Sequence, residues 1–261
     1  MAMSSLERMV GLLDLFTPGS PVWASEDLIQ HLGVPASTGY RYIKVLQRAG
    51  LLARVANGSY VIGPRILELD RTSRICDPVY QAGTPVIRQL TQQTGFSSLL
   101  SVLYSDTVMC VQQEPTPDAP VELFSRGQRR PLVGGASANI ILAHLPAHQL
   151  RSVFNKQRDN VTAANLGADW DTFKKNLRRI RQDGYSITTG EFRSGIAGLA
   201  APLFNQEGEV LGSIALASAS NPPPIDRYLE LAPLVIETAR AITARIGEIA
   251  NTVVLPARSL R

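Results

Sequence analysis

The sequence predicts a mixed α/β chain of the α+β class, a winged helix-turn-helix ahead of a larger sheet domain, and three observations predict it. Apolar residues recur at helical spacing through residues 5–16, from Ser25 to about 32 and from Ser37 to about 49. Asn57-Gly58 then sits between two β-prone runs, a strong hairpin signal. From residue 77 onward, strands and helices follow in a mixed order that fits an antiparallel sheet with helices packed on it.

The elements follow in order. Residues 5–16 (SLERMVGLLDLF) place Leu6, Met9, Val10, Leu13 and Phe16 on one helical face, and Thr17-Pro18-Gly19-Ser20-Pro21 ends that helix. Ser25 opens a second helix with Leu28, Ile29 and Leu32 on its apolar side. Gly33-Val34-Pro35 makes a turn, Ser37 is expected to cap a third helix that buries Ile43, Val45 and Leu46, and Gly50 ends it. Strands at 51–55 and 59–62 form the wing. Residues 63–74 read as a linking helix, with Pro64 suited to its first turn. Beyond it come a helix at 77–94 and strands at 96–104, 107–114 and 120–125. Helices at 136–146, 147–155 and 169–183 follow, then strands at 185–189, 197–204 and 210–218, and a closing helix at 225–250. The expected division is a winged helix-turn-helix at 1–63, a linker helix at 64–75 and a larger α+β domain at 76–261.

Composition narrows the classes. With 261 residues, 44% hydrophobic and 18% charged, the chain can bury a core without staples. Two cysteines, Cys76 and Cys110, supply neither a disulfide framework nor a four-thiolate zinc site and read as small buried hydrophobes. The opening residues lack the pattern of a secretory leader, and no run of 18 apolar residues marks a membrane helix. A cytoplasmic protein is expected. Net charge is only +4, yet no acidic residue occurs between Asp27 and Glu68, where Arg41, Lys44, Arg48, Arg54 and Arg65 fall. That local excess points to a polyanion.

The third helix carries the mixture a major-groove reader needs. Ser37, Thr38, Tyr40, Arg41 and Lys44 are expected to face away from the core, with hydroxyls and an arginine for base edges and a lysine for phosphate. Arg54 and Asn57 in the wing are placed for the backbone or the minor groove. Tyr40-x-x-x-Lys44 also matches a dehydrogenase pair, but no Gly-rich dinucleotide loop precedes it. Gly135-Ala136-Ser137-Ala138-Asn139 is a near miss to a nucleophile elbow and lacks its final glycine. His144 and His148 read as surface histidines, since Pro146 interrupts the helix that would align them. No catalytic residue, metal ligand or cofactor is expected; the alternative is a hydrolase-like domain fused to a DNA-binding head.

SLERMVGLLDLF, LGVPASTGYRYIKVLQRAGLL, SYVIGPRILELDR, RQLTQQTGFSSLLSVL and GYSITTGEFRSGIAGLAAPLFNQEGEVLGSIALA together resemble IclR-type transcriptional regulators over nearly the whole chain. The resemblance implies a winged helix-turn-helix joined by a helix to a GAF-like effector-binding domain. It also implies homodimers or homotetramers on inverted-repeat operators in double-stranded DNA, and a small-molecule effector. In family members that bind small oxoacids, the ligand meets a Gly-rich helix start, here Gly135, Ala136 and Ser137, with Arg126, Arg129 and Arg130 just before it. At the family's acidic position stands Thr188, at its cysteine Gly198, and at its two serines Ala215 and Ala217. These exchanges, with Ile196 beside them, imply a larger and more apolar cavity and an organic acid bearing an aromatic or bulky apolar group. The regulated genes are expected to form a catabolic operon.

Overall fold

The computed structural model describes residues 4–117, 119, 125–190, 194–219 and 222–252. Two compact units divide the chain at 75/76.

In the first unit, helix α1 spans Ser5–Gly11. Ser4 caps it in a reciprocal box, its Oγ accepting from the Glu7 N–H while the Glu7 carboxylate accepts from the Ser4 N–H. The predicted helix is shortened, because Leu12–Leu15 tighten into a 3-10 turn. Leu12 becomes the buried residue, Met9, Leu13 and Phe16 are half-buried against the core, and Leu6 and Val10 stay exposed. Helix α2 (Ser25–Leu32) ends at Gly33, whose φ of 58° is left-handed and favours glycine. Helix α3 (Ala36–Arg48) starts after Pro35 and has no side-chain cap, so Ser37 lies inside it and is not its cap. Val45 is exposed rather than buried; Tyr42, Ile43 and Leu46 face the core with Leu28, Leu52 and Tyr60. Strands β1 (Leu52–Arg54) and β2 (Tyr60–Ile62) pair antiparallel. Trp23 bridges to Tyr60, and its indole N–H donates to the Leu15 and Ser20 carbonyls, which pins the loop before α2 to the wing. Helix α4 (Arg65–Cys76) follows and buries none of its residues.

In the second unit, helix α5 (Pro78–Thr94) is capped by Asp77, whose carboxylate accepts from the Val79 and Tyr80 N–H groups. Strands β3 (Ser97–Tyr104), β4 (Thr107–Glu114) and β5 (Arg129–Pro131) precede four helices: α6 (Ala136–Ala143), α7 (Ala147–Lys156), α8 (Arg158–Ala163) and α9 (Trp170–Asp183). Strands β6 (Ser186–Thr189), β7 (Ile196–Phe204) and β8 (Val210–Ala219) and the long helix α10 (Ile225–Thr252) complete it. The strand predicted at 120–125 lies almost wholly outside the described residues; β5 and α8 were not predicted. All six strands form one antiparallel sheet in the order β5-β4-β3-β8-β7-β6.

Strand alternation divides the apolar residues between two layers. Leu100, Leu199, Ile214 and Leu216 face α5 and α10, while Leu99, Ala200, Ala215 and Ala217 face α6 to α9. Among the described residues, no helix is long and apolar enough to cross a membrane.

Candidate nucleic-acid interface and effector cavity

Helix α3 presents Ser37, Tyr40, Arg41 and Lys44 on its exposed side, with Thr38 partly covered. Gly39 faces inward, and a Cβ there would lie 2.6 Å from Ile29 Cγ1, so α2 and α3 approach closely at this residue. The first helix of the motif thus fixes the angle at which α3 is offered. Tyr40 is not a free hydroxyl: it donates to Glu26 Oε1 at 3.1 Å, and Ser25 Oγ donates to the same oxygen at 3.0 Å. Its own backbone N–H, then Ser25 and Tyr40, hold the Glu26 carboxyl below the usual range. An acidic group therefore stands beside the reading helix, although the sequence window 28–67 contains none. Fourteen residues separate Glu26 from Tyr40, and only the α2–α3 packing reveals their meeting.

In the wing, Arg54 and Asn57 are both exposed. Asn57 sits at the tip with φ 61°, and the Arg54 guanidinium lies near Gly58. Arg65 contributes less positive charge than its place in the sequence suggests, because it pairs with Glu68.

The second site is a cavity of about 50 Å³ between the start of α6 and the sheet. Gly135, Ala136 and Ser137 form one wall and Thr188, Ile196 and Gly198 another, with Ala215 and Ala217 on the floor. Strand register brings these together: Thr188 pairs with Gly198, and Gly198 with Ala217. Gly135 occupies the N-cap with φ 92°, so no side chain screens the first N–H groups of α6. Those N–H groups carry the partial positive charge of a helix start.

Of the three arginines before the helix, only Arg130 lines the cavity. Arg126 donates to the Val111 carbonyl and lies 5.0 Å from the Tyr80 ring, and Arg129 lies 5.0 Å from the Tyr104 ring.

Leu99 and Val108 make the remaining surface apolar. A Cβ at Gly198 would sit 3.6 Å from the Ala136 Cβ, an ordinary contact, and a tighter 3.1 Å from the Leu216 carbonyl oxygen on the neighbouring strand. For scale, an engineered cavity of about 150 Å³ accepts benzene.

Other sequence features resolve plainly. Cys76 is exposed, contrary to expectation, whereas Cys110 is buried and its thiol is pushed up to about 11, chiefly by burial. His144 is not a surface residue. It packs edge-on to Phe204 with centroids 5.0 Å apart, and burial, with a smaller contribution from the Arg181 charge, lowers it to about 4. His148 is exposed. No group of three or more metal-ligating side chains occurs among the described residues.

Comparison with known proteins finds a match in each unit. The IclR helix-turn-helix domain matches residues 5–56, and the bacterial transcriptional regulator IclR C-terminal domain matches residues 77–244. The chain is 24% identical over 244 residues to the HTH-type transcriptional repressor AllR of Klebsiella pneumoniae, covering 93% of this chain and 90% of that one. It is 26% identical over 247 residues to the glycerol operon regulatory protein of Streptomyces coelicolor, covering 93% and 96%. Among solved structures, an IclR homologue from Microbacterium hydrocarbonoxydans complexed with 4-hydroxybenzoate superposes with a TM-score of 0.79 at 21% identity, covering 93% of this chain and 99% of that one. These relatives are regulators, not enzymes, and the helix-turn-helix is a DNA-binding module. With both halves matched in sequence order, the chain belongs to the IclR family of bacterial transcriptional regulators.

Proposed function

We propose that this protein is a cytoplasmic, ligand-responsive regulator of a catabolic operon. In this reading it binds an inverted-repeat operator as a homodimer or homotetramer and senses an organic acid. Ser37, Thr38, Arg41 and Lys44, with Tyr40 oriented by Glu26, read the major groove, and Arg54 and Asn57 contact the backbone beside it. The effector carboxylate meets the N–H groups of Ala136 and Ser137, and an aromatic or bulky apolar body lies against Ile196, Gly198, Ala215 and Ala217. The observation that carries the reading is the meeting of an unscreened helix start, one arginine and small apolar side chains around a single cavity. The glycerol operon regulator supports the catabolic assignment, and the 4-hydroxybenzoate complex supports a ring-bearing acid. An effector that binds one arrangement of this unit better than another would shift its population and, through it, DNA affinity.

Thermal unfolding with benzoate, 4-hydroxybenzoate, glyoxylate and pyruvate tests the cavity. The ring-bearing acids should stabilise the protein, and Ala215→Ser with Ala217→Ser should weaken them. Stabilisation by glyoxylate alone would reverse the effector assignment. Selection from a random duplex pool tests the head: an enriched inverted repeat is expected, with affinity falling about 10-fold or more in Arg41→Ala.

A further inference from the structure

The second unit carries a cationic face that the effector cavity does not use. Residues 147–184 contain eight Lys and Arg against four Asp and Glu, an excess equal to that of the entire chain, so the remainder is balanced. Helix α9 turns Phe173 and Leu177 inward and leaves Lys174, Lys175, Arg178, Arg179 and Arg181 exposed. Lys174, Arg178 and Arg181 fall on one flank by helical spacing. Of the four carboxylates, only Asp171 forms an ion pair with one of these cations among the described residues; Asp159 and Asp183 form none. Asp169 is engaged at the N-cap, where it accepts from the Asp171 and Thr172 N–H groups, and Asp171 pairs with Lys174 at 3.1 Å. Lys175, Arg178, Arg179 and Arg181 form no ion pair with a carboxylate among the described residues. Helix α7 and the start of α8 extend the face around an aromatic cluster. Arg151 lies 4.0 Å from the Trp170 ring centroid, Lys174 lies 5.5 Å from it, and Arg158 lies 5.4 Å from that of Phe154.

We propose that this face is a second, sequence-independent contact for duplex DNA, engaging phosphates beyond those held by the head. The three cations of the flank span about 10 Å at 1.5 Å per residue. One strand of B-DNA offers about three phosphates over that length. DNA is the polyanion favoured because the same chain carries a DNA-binding module, and the proposal rests on the head only in that respect.

The test uses the full chain and a mixed-sequence duplex of about 60 base pairs, titrated at several salt concentrations between roughly 50 and 200 mM. Replacing Lys174, Arg178 and Arg181 by Gln should make the slope of log K against log salt shallower by about two to three units, at about 0.9 per phosphate lost. Arg178→Lys with Arg181→Lys, which keeps the charges, should retain the wild-type slope. A head variant, Arg41→Ala with Lys44→Ala, separates the two readings. If the head does not touch DNA, that variant changes nothing while the α9 variant still lowers the slope. An unchanged slope in the Gln variant at wild-type melting temperature would leave the face to an acidic protein or to solvent and overturn the proposal. Loss of slope in the Lys variant would overturn it too, by assigning the effect to packing.

Discussion

Gly63, between the wing and α4, is the glycine of the head that leaves least room for a side chain, and Gly63→Ala should destabilise that unit selectively. A Cβ at this position would lie 2.1 Å from the Gly50 carbonyl oxygen, 2.8 Å from the Gly50 carbonyl carbon and 2.9 Å from that of Leu51. All three are backbone atoms, so no rotamer change relieves the clash, and the strand end must move by more than 1 Å. Two hydrogen bonds hold it in place: the Gly63 N–H donates to the Leu51 carbonyl at 2.8 Å and the Arg65 N–H to the Gly50 carbonyl at 3.1 Å. Losing both costs about 2 kcal/mol at roughly 1 kcal/mol each. Overpacking adds about 1–3 kcal/mol, for a total of about 3–5 kcal/mol. In a unit of this size, each kcal/mol lowers the midpoint by about 4–8 °C, so even the low end predicts a fall of about 12 °C. Calorimetry should resolve the two units, with the head transition falling and the other unmoved. DNA binding should disappear at the temperature where the head melts. A head midpoint within about 4 °C of wild type, equivalent to no more than about 1 kcal/mol, would refute the reasoning.

Three further outcomes are expected. Gly212→Ala would bring a Cβ to 1.9 Å from the Ser101 carbonyl oxygen across the β3–β8 seam, so the larger unit's transition should fall while the head's holds. His144, lowered in the fold to about 4 from 6.5, contributes stability that is fully present above pH 6.5 and is lost as pH falls towards 4. Denaturant titrations of wild type and His144→Gln across that window should converge on acidification, and a constant difference would contradict the assignment. At pH 8, a thiol-specific chromogenic disulfide should react rapidly with exposed Cys76 and reach Cys110 only on unfolding; two equally fast thiols would contradict the burial of Cys110.

What the sequence made legible was local or periodic. Helix α3 ends where Gly50 stands in the sequence, and Asn57-Gly58 marks the wing tip. The strands that carry Thr188, Gly198 and Ala217 appear in the register needed to set these residues side by side, because two-residue alternation leaves little freedom once one face is buried. Strand β5 was not legible: three residues show no alternation, and Arg129–Pro131 is extended because β4 offers its edge. Helix α8 is short and contributes only Val161 to the core, too little for a periodic signal. The cavity's tightness depends on how far α6 stands from β7, and His144 depends on Phe204, sixty residues later. Such distances arise from packing, which a single sequence does not spell out.

The strand order has a consequence for how the molecule comes into being on the ribosome. The head is complete within the first 75 residues and closes on local contacts, so it can fold as soon as it emerges. The larger unit cannot, since its central seam joins Ser97 to Ala217, more than a hundred residues later, and Ala217 also floors the cavity. At about 5–20 residues per second, the 144 residues from Cys76 to Ala219, where β8 ends, take roughly 7–30 s to be made. Each new molecule therefore spends that interval with a finished DNA-binding head and no sensor, anchored near its own messenger RNA. Ligand control begins only when the last strand of the seam has been delivered.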